Sequence, residues 1–241
     1  MQKIDFFNLL ELAGLISFTE EGIEFNGFVY VMIEDKINKS QTIKPLLEVF
    51  PELVGTDLKS ALEEFKNKAT SRRSEVRFNL ASFKERYGKD YFEWTKCPIR
   101  IDIENKDKTP LSLEKVLEFA NALPIKPTVI SRTVKGWHLL YFTVERISKD
   151  DEEFISALRD FKNAIESLRR TYHFVDRVDI LWNVHTRYSD EIYLYSEPKQ
   201  KDEFILDLLE GSRVLIDGEK LPIIPASKLS LNYLRTVYEA C

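Results

Sequence analysis

Between residues 99 and 182 the apolar pattern switches between a period of two and a period of 3.6, in an order that few folds satisfy. Residues 99–104, IRIDIE, alternate apolar and ionic side chains as a strand with one buried face does. Thr109-Pro110-Leu111-Ser112 opens a helix with Leu113, Val116, Leu117 and Ala120 on one face, and the segment from Pro124 to Pro127 ends it. A second strand at 128–131, the turn RTVKG and a third strand at 138–144 come next. Asp150 or Asp151 caps a long helix in which Phe154, Leu158, Phe161, Ile165 and Leu168 recur at helical spacing. Residues 177–182, RVDILW, read as a fourth strand and 191–195, EIYLY, as a fifth. This order, βαββαβ with one addition, predicts an α+β fold built on an RRM/ferredoxin-like sheet. In that topology the first strand is central, between the third and the fourth, and both helices cover one face.

The geometry gives the ionic residues partners. Asp102 and Glu104 on the first strand, His138 at the start of the third and Asp179 on the fourth converge on the face the helices leave uncovered. Val178 and Ile180 flank Asp179 as inward residues, so Asp179 points the other way; Asp176, at the strand entrance, is the second choice for this third acid. Residues i and i+2 on a strand lie ~6.6–7 Å apart on the same face. Three carboxylates so close repel one another unless a cation relieves them. Mg²⁺ or Mn²⁺ suits such oxygen donors and keeps sites for phosphate, so Asp102, Glu104 and Asp179 are expected to form a two-metal site for nucleotidyl transfer. The segment 131–138, SRTVKGWH, offers Ser131, Arg132, Lys135 and His138 around a tight turn as donors to a triphosphate, with Arg187 a further one. Arg100 shares the acid face, to pair with the acids or to contact template. His173 and His185 have no such pattern and read as structural, and Trp137 and Trp182 as packing residues.

Composition narrows the class. Hydrophobic residues at 44% and charged residues at 31% exclude a disordered chain. No apolar run reaches the ~20 residues of a membrane span, and the start, MQKIDFFNLLELAGLISF, lacks the layout of a secretory signal. Cys97 and Cys241 are too few for a Cys-based zinc cluster or a disulfide framework, so a cytoplasmic location is expected. The net charge of -5 argues against non-specific coating of nucleic acid, leaving residues 66–77, KNKATSRRSEVR, as the one basic strip or as a solvated loop. Upstream, residues 23–33 read as one or two strands broken near Asn26-Gly27, Thr56 caps a helix with Leu58, Leu62 and Phe65 on one stripe, and SEVRFNL is a strand. The expected division is an N-terminal α/β accessory part of the same globule (1–96), a catalytic unit (97–200) and a C-terminal helical extension (201–241).

Three segments, IRIDIEN, VISRTVKGWHLLYF and RVDILW, together resemble the three motifs of the archaeo-eukaryotic primase superfamily: an acidic D-x-E strand, a hairpin ending in Gly-aromatic-His, and a hydrophobic-Asp strand. The D-x-E form is similar to the primase-polymerase domains of archaeal plasmid replication proteins, and the resemblance spans about residues 74–196. It implies that Asp102, Glu104 and Asp179 hold divalent metals and that His138, with Ser131, Arg132 or Lys135, holds the triphosphate of the incoming nucleotide. Ser131-Arg132 stands where the family has Ser-Gly, and Arg187 is the counterpart after the third motif. The implied activity is that of a DNA primase or primase-polymerase, joining nucleoside triphosphates on a single-stranded DNA template, with a helicase region or other replication proteins as partners. An inactive primase-like subunit and a palm-fold nucleotide cyclase are the alternatives. An RNA-recognition-like module is disfavoured, because unmetallated acids on the open face repel phosphates. In the tail, a short helix ending at Gly211, a turn at Asp217-Gly218 and a helical SLNYLRTVYEAC lead to Cys241 without a helix stop, as expected of a fragment of a longer replication protein.

Overall fold

The computed structural model describes residues 1–54, 58–70, 74–107, 109–170 and 172–216. The N-terminal part contains β1 (Gln2–Ile4), α1 (Phe6–Leu12), β2 (Ile16–Thr19), β3 (Gly22–Phe25), β4 (Tyr30–Asp35), β5 (Gln41–Pro45), α2 (Leu46–Val49), α3 (Leu58–Ala69), β6 (Ser74–Asn79), β7 (Ala81–Phe83) and β8 (Phe92–Thr95). Then follow β9 (Ile99–Glu104), α4 (Leu113–Ala122), β10 (Val129–Arg132), β11 (Gly136–Tyr141), β12 (Ile147–Ser148), α5 (Glu152–Ser167), β13 (Val175–Ile180), β14 (His185–Arg187), β15 (Ile192–Leu194) and α6 (Lys201–Ile216). Ser112 caps α4 by accepting the Lys115 N–H, as the opening TPLS suggests. Asp151 is the N-cap of α5 by position, but its carboxylate accepts from the Ser148 N–H and pairs with Lys201 instead of closing the helix.

The largest sheet runs β1-β15-β10-β11-β9-β13, with neighbours antiparallel. β9 lies between β11 and β13, the neighbours the order of elements demands, and is second from the edge because β15 and β1 extend the sheet beyond β10. Its odd residues Ile99, Ile101 and Ile103 are fully buried with Val116 and Phe119 of α4 and Phe154, Leu158 and Phe161 of α5. α6 adds Phe204 and Leu208 to the same core and packs along α5. It does not end at Gly211: the helix continues to Ile216, and a Cβ at Gly211 would stand 3.0 Å from Phe161. That glycine serves the close approach of α5 and α6, not a C-cap. The fourth strand begins and ends two residues earlier than its apolar run, because the buried Leu181 takes a positive φ of 54° and starts a 3-10 turn.

The opposite face is not uncovered, as the sequence suggested. Val129, Leu140 and Ile192 pack there into a second core with Phe6, Phe50, Phe65 and Phe78 of the N-terminal part. That part forms its own sheet, β14-β6-β4-β5. Strands are exchanged between the halves: β1 pairs with β15 at one edge of the large sheet, and β14 pairs with β6 at the edge of the smaller one. Aromatic cross-contacts such as Phe6–Phe78, with ring centroids 4.8 Å apart, fill the second core. The expected cap at Thr56, residues 71–73 of the basic run and the tail from 217 to Cys241, with its Asp217-Gly218 turn, lie outside the described residues. Among the described residues no helix is long and apolar enough to cross a membrane.

Candidate active site

Alternation on β9 sends its isoleucines to the helices and Arg100, Asp102 and Glu104 to the other face. In register, His138 of β11 lies opposite Asp102, and Gly136 lies opposite Glu104. On the other flank, Asp179 of β13 is opposite Arg100 and Arg177 is opposite Asp102. The structure therefore brings Asp102, His138 and Asp179 onto one face of three adjacent strands, with Glu104 at the strand end. Gly136 is required there: a Cβ would stand 1.9 Å from the Ile103 carbonyl oxygen and 2.9 Å from Glu104 Cα. Asp176 falls in the β-bulge between Val175 and Arg177 and is exposed, so the site has Asp179 as its third acid by position.

The face is drier than an open sheet. Arg100, His138, Asp179 and Ser131 are buried, while Asp102 and Glu104 keep partial access to water. Arg100 donates through Nη2 to Asp179 Oδ2 and through Nη1 to the His185 carbonyl. Its Nη2 lies 3.9 Å from Asp102 Oδ2, and its Nη1 lies 3.5 Å from His138 Nε2. Arg177 Nε reaches the same Asp179 oxygen at 2.9 Å from the solvent side, and Asn183 Nδ2 donates to Asp179 Oδ1 at 3.3 Å. His138 Nε2 is 3.7 Å from Asp102 Oδ2, and its Nδ1 is 3.4 Å from Thr186 Oγ1.

Burial pushes the His138 pKa down to about 4, with Arg100 adding to the effect against the opposing pull of Asp102. The ring is neutral at pH 7, and one tautomer serves both contacts: Nδ1–H toward Thr186 and the Nε2 lone pair toward Arg100. Burial alone would raise the Asp102 pKa, but His138, Arg100 and Arg177 together hold it well below the usual carboxylate range. Asp102 is thus ionised at any physiological pH.

Of the other expected nucleotide-binding residues, Ser131 shares the face with His138 and the charge of Arg187 is felt at that ring, whereas Arg132 is turned away from the face and Lys135 sits in the turn beyond the strands. Ser131 lies opposite His138 on β10, fully buried, and its Oγ has no hydrogen-bond partner. Arg132 turns to the helix face, where it donates to the Leu111 carbonyl and stacks over Trp137 at 4.8 Å. It is one residue out of phase with His138 and therefore not beside it. Lys135 is exposed in the β10–β11 turn, next to the exposed Val134. Arg187 pairs with Glu75 at 2.8 Å in the smaller sheet. Trp137 is a core residue that donates to the Leu111 carbonyl, and His173 contacts the Arg169 carbonyl. Arg177 pairs with Asp179, as one reading of the sequence allowed, whereas sequence reasoning missed Thr186 and the His185 carbonyl, neither of which carried a signal.

Two partly exposed carboxylates at i and i+2, Asp102 and Glu104, fit a hard divalent cation with water completing its shell. Asp179 does not fit as a ligand to a shared ion, because two guanidinium groups hold its Oδ2. Among the described residues no group of three or more His, Cys, Asp or Glu side chains is placed to hold a metal ion, so the trio expected from the sequence is not assembled in this arrangement.

No protein-family model matches the chain, and no curated protein matches it. Among solved structures, the AEP domain of the cyanophage S-2L primase-polymerase is similar over 85% of this chain and 96% of its own, at 11% identity and a TM-score of 0.47. Primase RepB' is similar over 88% of this chain, at 12% identity and a TM-score of 0.36, and this chain spans 61% of that structure.

Proposed function

We propose that the chain is a primase-type nucleotidyltransferase that joins nucleoside triphosphates on a single-stranded DNA template, with its RRM-like sheet as the catalytic platform. The observation that carries this reading is the register of β9 and β11, which sets an ionised Asp102 against a buried, neutral His138 with Glu104 two residues on. A Mg²⁺ or Mn²⁺ ion on Asp102 and Glu104 would lower the pKa of an attacking 3′-hydroxyl and neutralise phosphate charge. The protein's own groups do the rest. His138, held by Thr186 and Arg100, is a fixed polar group at the floor of the site that adds no competing charge. Lys135, in the turn beside Gly136, carries an exposed cation to the end of the strand where Glu104 stands, suited to a triphosphate. Arg177, about half exposed and opposite Asp102, is a second cation facing that space. Arg132 is not part of this set, because it stacks on Trp137 on the far side of the sheet.

One observation favours a second reading, a non-catalytic primase-like subunit that binds nucleic acid: the third acid is closed by Arg100 and Arg177. Both readings are tested by incubating the protein with primed and unprimed single-stranded DNA, labelled ribo- or deoxynucleotides and Mg²⁺ or Mn²⁺, beside Asp102→Ala and His138→Ala. Incorporation that falls to background in both variants is the expected result. Equal incorporation by wild type and Asp102→Ala refutes the site, and no incorporation with retained DNA binding favours the second reading.

A further inference from the structure

Arg100 stands at the centre of the acid face, where the sequence alone suggests a second metal ion. Its side chain is 2% exposed, one nitrogen, Nε, is buried without a partner, and the other two contact four groups on four strands: Asp179 of β13, Asp102 of β9, His138 of β11 and the His185 carbonyl of β14. It bridges Asp179 and Asp102, and it does so from β9 itself, two residues before Asp102 and directly opposite Asp179. A divalent ion between these two acids would share a partly dry space with a guanidinium already in contact with both. Charges of like sign repel far more strongly there than in water. Arg100 has nowhere to retreat: Asp179 is the buried carboxylate among the described residues, and leaving it would strand a charge in the core.

We infer that Arg100 is a built-in counter-cation occupying the place of a bridging second ion, so that this chain takes one hard divalent cation, on Asp102 and Glu104, and not two. The inference rests on the cation placement of the proposed function, though not on whether nucleotides are joined. It makes Asp179 a positioning residue, which holds Arg100 against Asp102 and His138, and no ligand.

The test counts ions without substrate. Mn²⁺ is titrated into the full chain and the free ion is read by electron paramagnetic resonance, for wild type, Asp179→Asn, Arg100→Gln and Asp102→Asn, each checked for folding by circular dichroism. Wild type is expected to bind one ion per chain, Asp179→Asn still one, Arg100→Gln two, and Asp102→Asn none. Two ions on wild type would overturn the inference and leave the nucleotidyl-transfer reading intact. No ion on wild type would remove the cation placement and both readings that use it. The wild-type count decides the matter even if the buried variants fail to fold.

Discussion

The Arg100–Asp179 pair makes a quantitative prediction about stability. Both partners are buried, at 2% and 5% side-chain exposure, and are neighbours in register across β9 and β13. Removing one member of a buried ion pair costs about 3–5 kcal/mol, because the other charge stays in the core without its partner. In Asp179→Ala, Arg100 keeps the His185 carbonyl and an Asp102 oxygen 3.9 Å away, which places the loss near the low end, about 3 kcal/mol. The second pair, to Arg177 with its side chain 48% exposed, adds no more than about 1 kcal/mol. For a chain of this size each kcal/mol moves the melting midpoint by about 2–4 °C, so Asp179→Ala should melt about 6–16 °C below wild type. Replacing both residues by apolar ones of similar volume, Arg100→Met with Asp179→Leu, should recover most of the loss, since neither charge remains to be stranded. The assay is urea unfolding at pH 7 of wild type, both single variants and the double variant, giving a coupling energy of about 2–3 kcal/mol. A coupling below about 0.5 kcal/mol, the range expected of independent sites, would refute the clamp.

Three further outcomes are expected. Gly136→Ala drives a Cβ to 1.9 Å from the Ile103 carbonyl oxygen, so β11 must move from β9 beside Glu104; stability should fall by about 1–3 kcal/mol and Mn²⁺ affinity with it, and a variant as stable as wild type would count against the register. The pKa values of His138 and His185 are both pushed down to about 4 by burial, against about 6.5 in an unfolded chain. Between those values the unfolded state binds protons that the folded state refuses, so stability is full above pH ~6.5 and declines as the pH falls toward ~4. Urea midpoints measured from pH 7.5 to 4.5 should show this decline, and His138→Gln should flatten it; a flat wild-type profile would contradict the burial of both rings. Lys135→Ala should weaken nucleoside triphosphate binding while Arg132→Ala leaves it unchanged, as measured by titration calorimetry. The reverse order would place the wrong face of β10 at the site.

Much of the fold was legible because periodicity is a local property. The period-two run of β9 separated Ile101 and Ile103 from Asp102 and Glu104, and the 3.6 period of Phe154, Leu158 and Phe161 announced α5 and the face it covers. The order of these elements, with the rule for split βαβ units, put β9 between β11 and β13. Two three-residue strands escaped: β1 and β14 are too short to show a period, and each pairs with a strand far away in the chain. Gly211 was misread for a related reason, since a glycine that ends a helix and one that admits a neighbouring helix look alike until Phe161 is seen against it.

The sequence by itself determined which residues share a face: Arg100, Asp102 and Glu104 on β9, His138 on β11 and Asp179 on β13, because strand alternation needs only the backbone. Only the tertiary structure decided what they do to one another. The contact of Arg100 with Asp179 joins residues 79 positions apart and depends on the register of β13 past its bulge. The dryness of the site depends on the N-terminal part folding over a face that the order of elements leaves bare. Arg132, one residue from Ser131, shows the same division: composition makes it a phosphate donor, and the pleat of β10 turns it to Trp137 instead. Register and burial are set by distant packing, so the acids could be named from the chain, while the cation that stands between them could be assigned only from the fold.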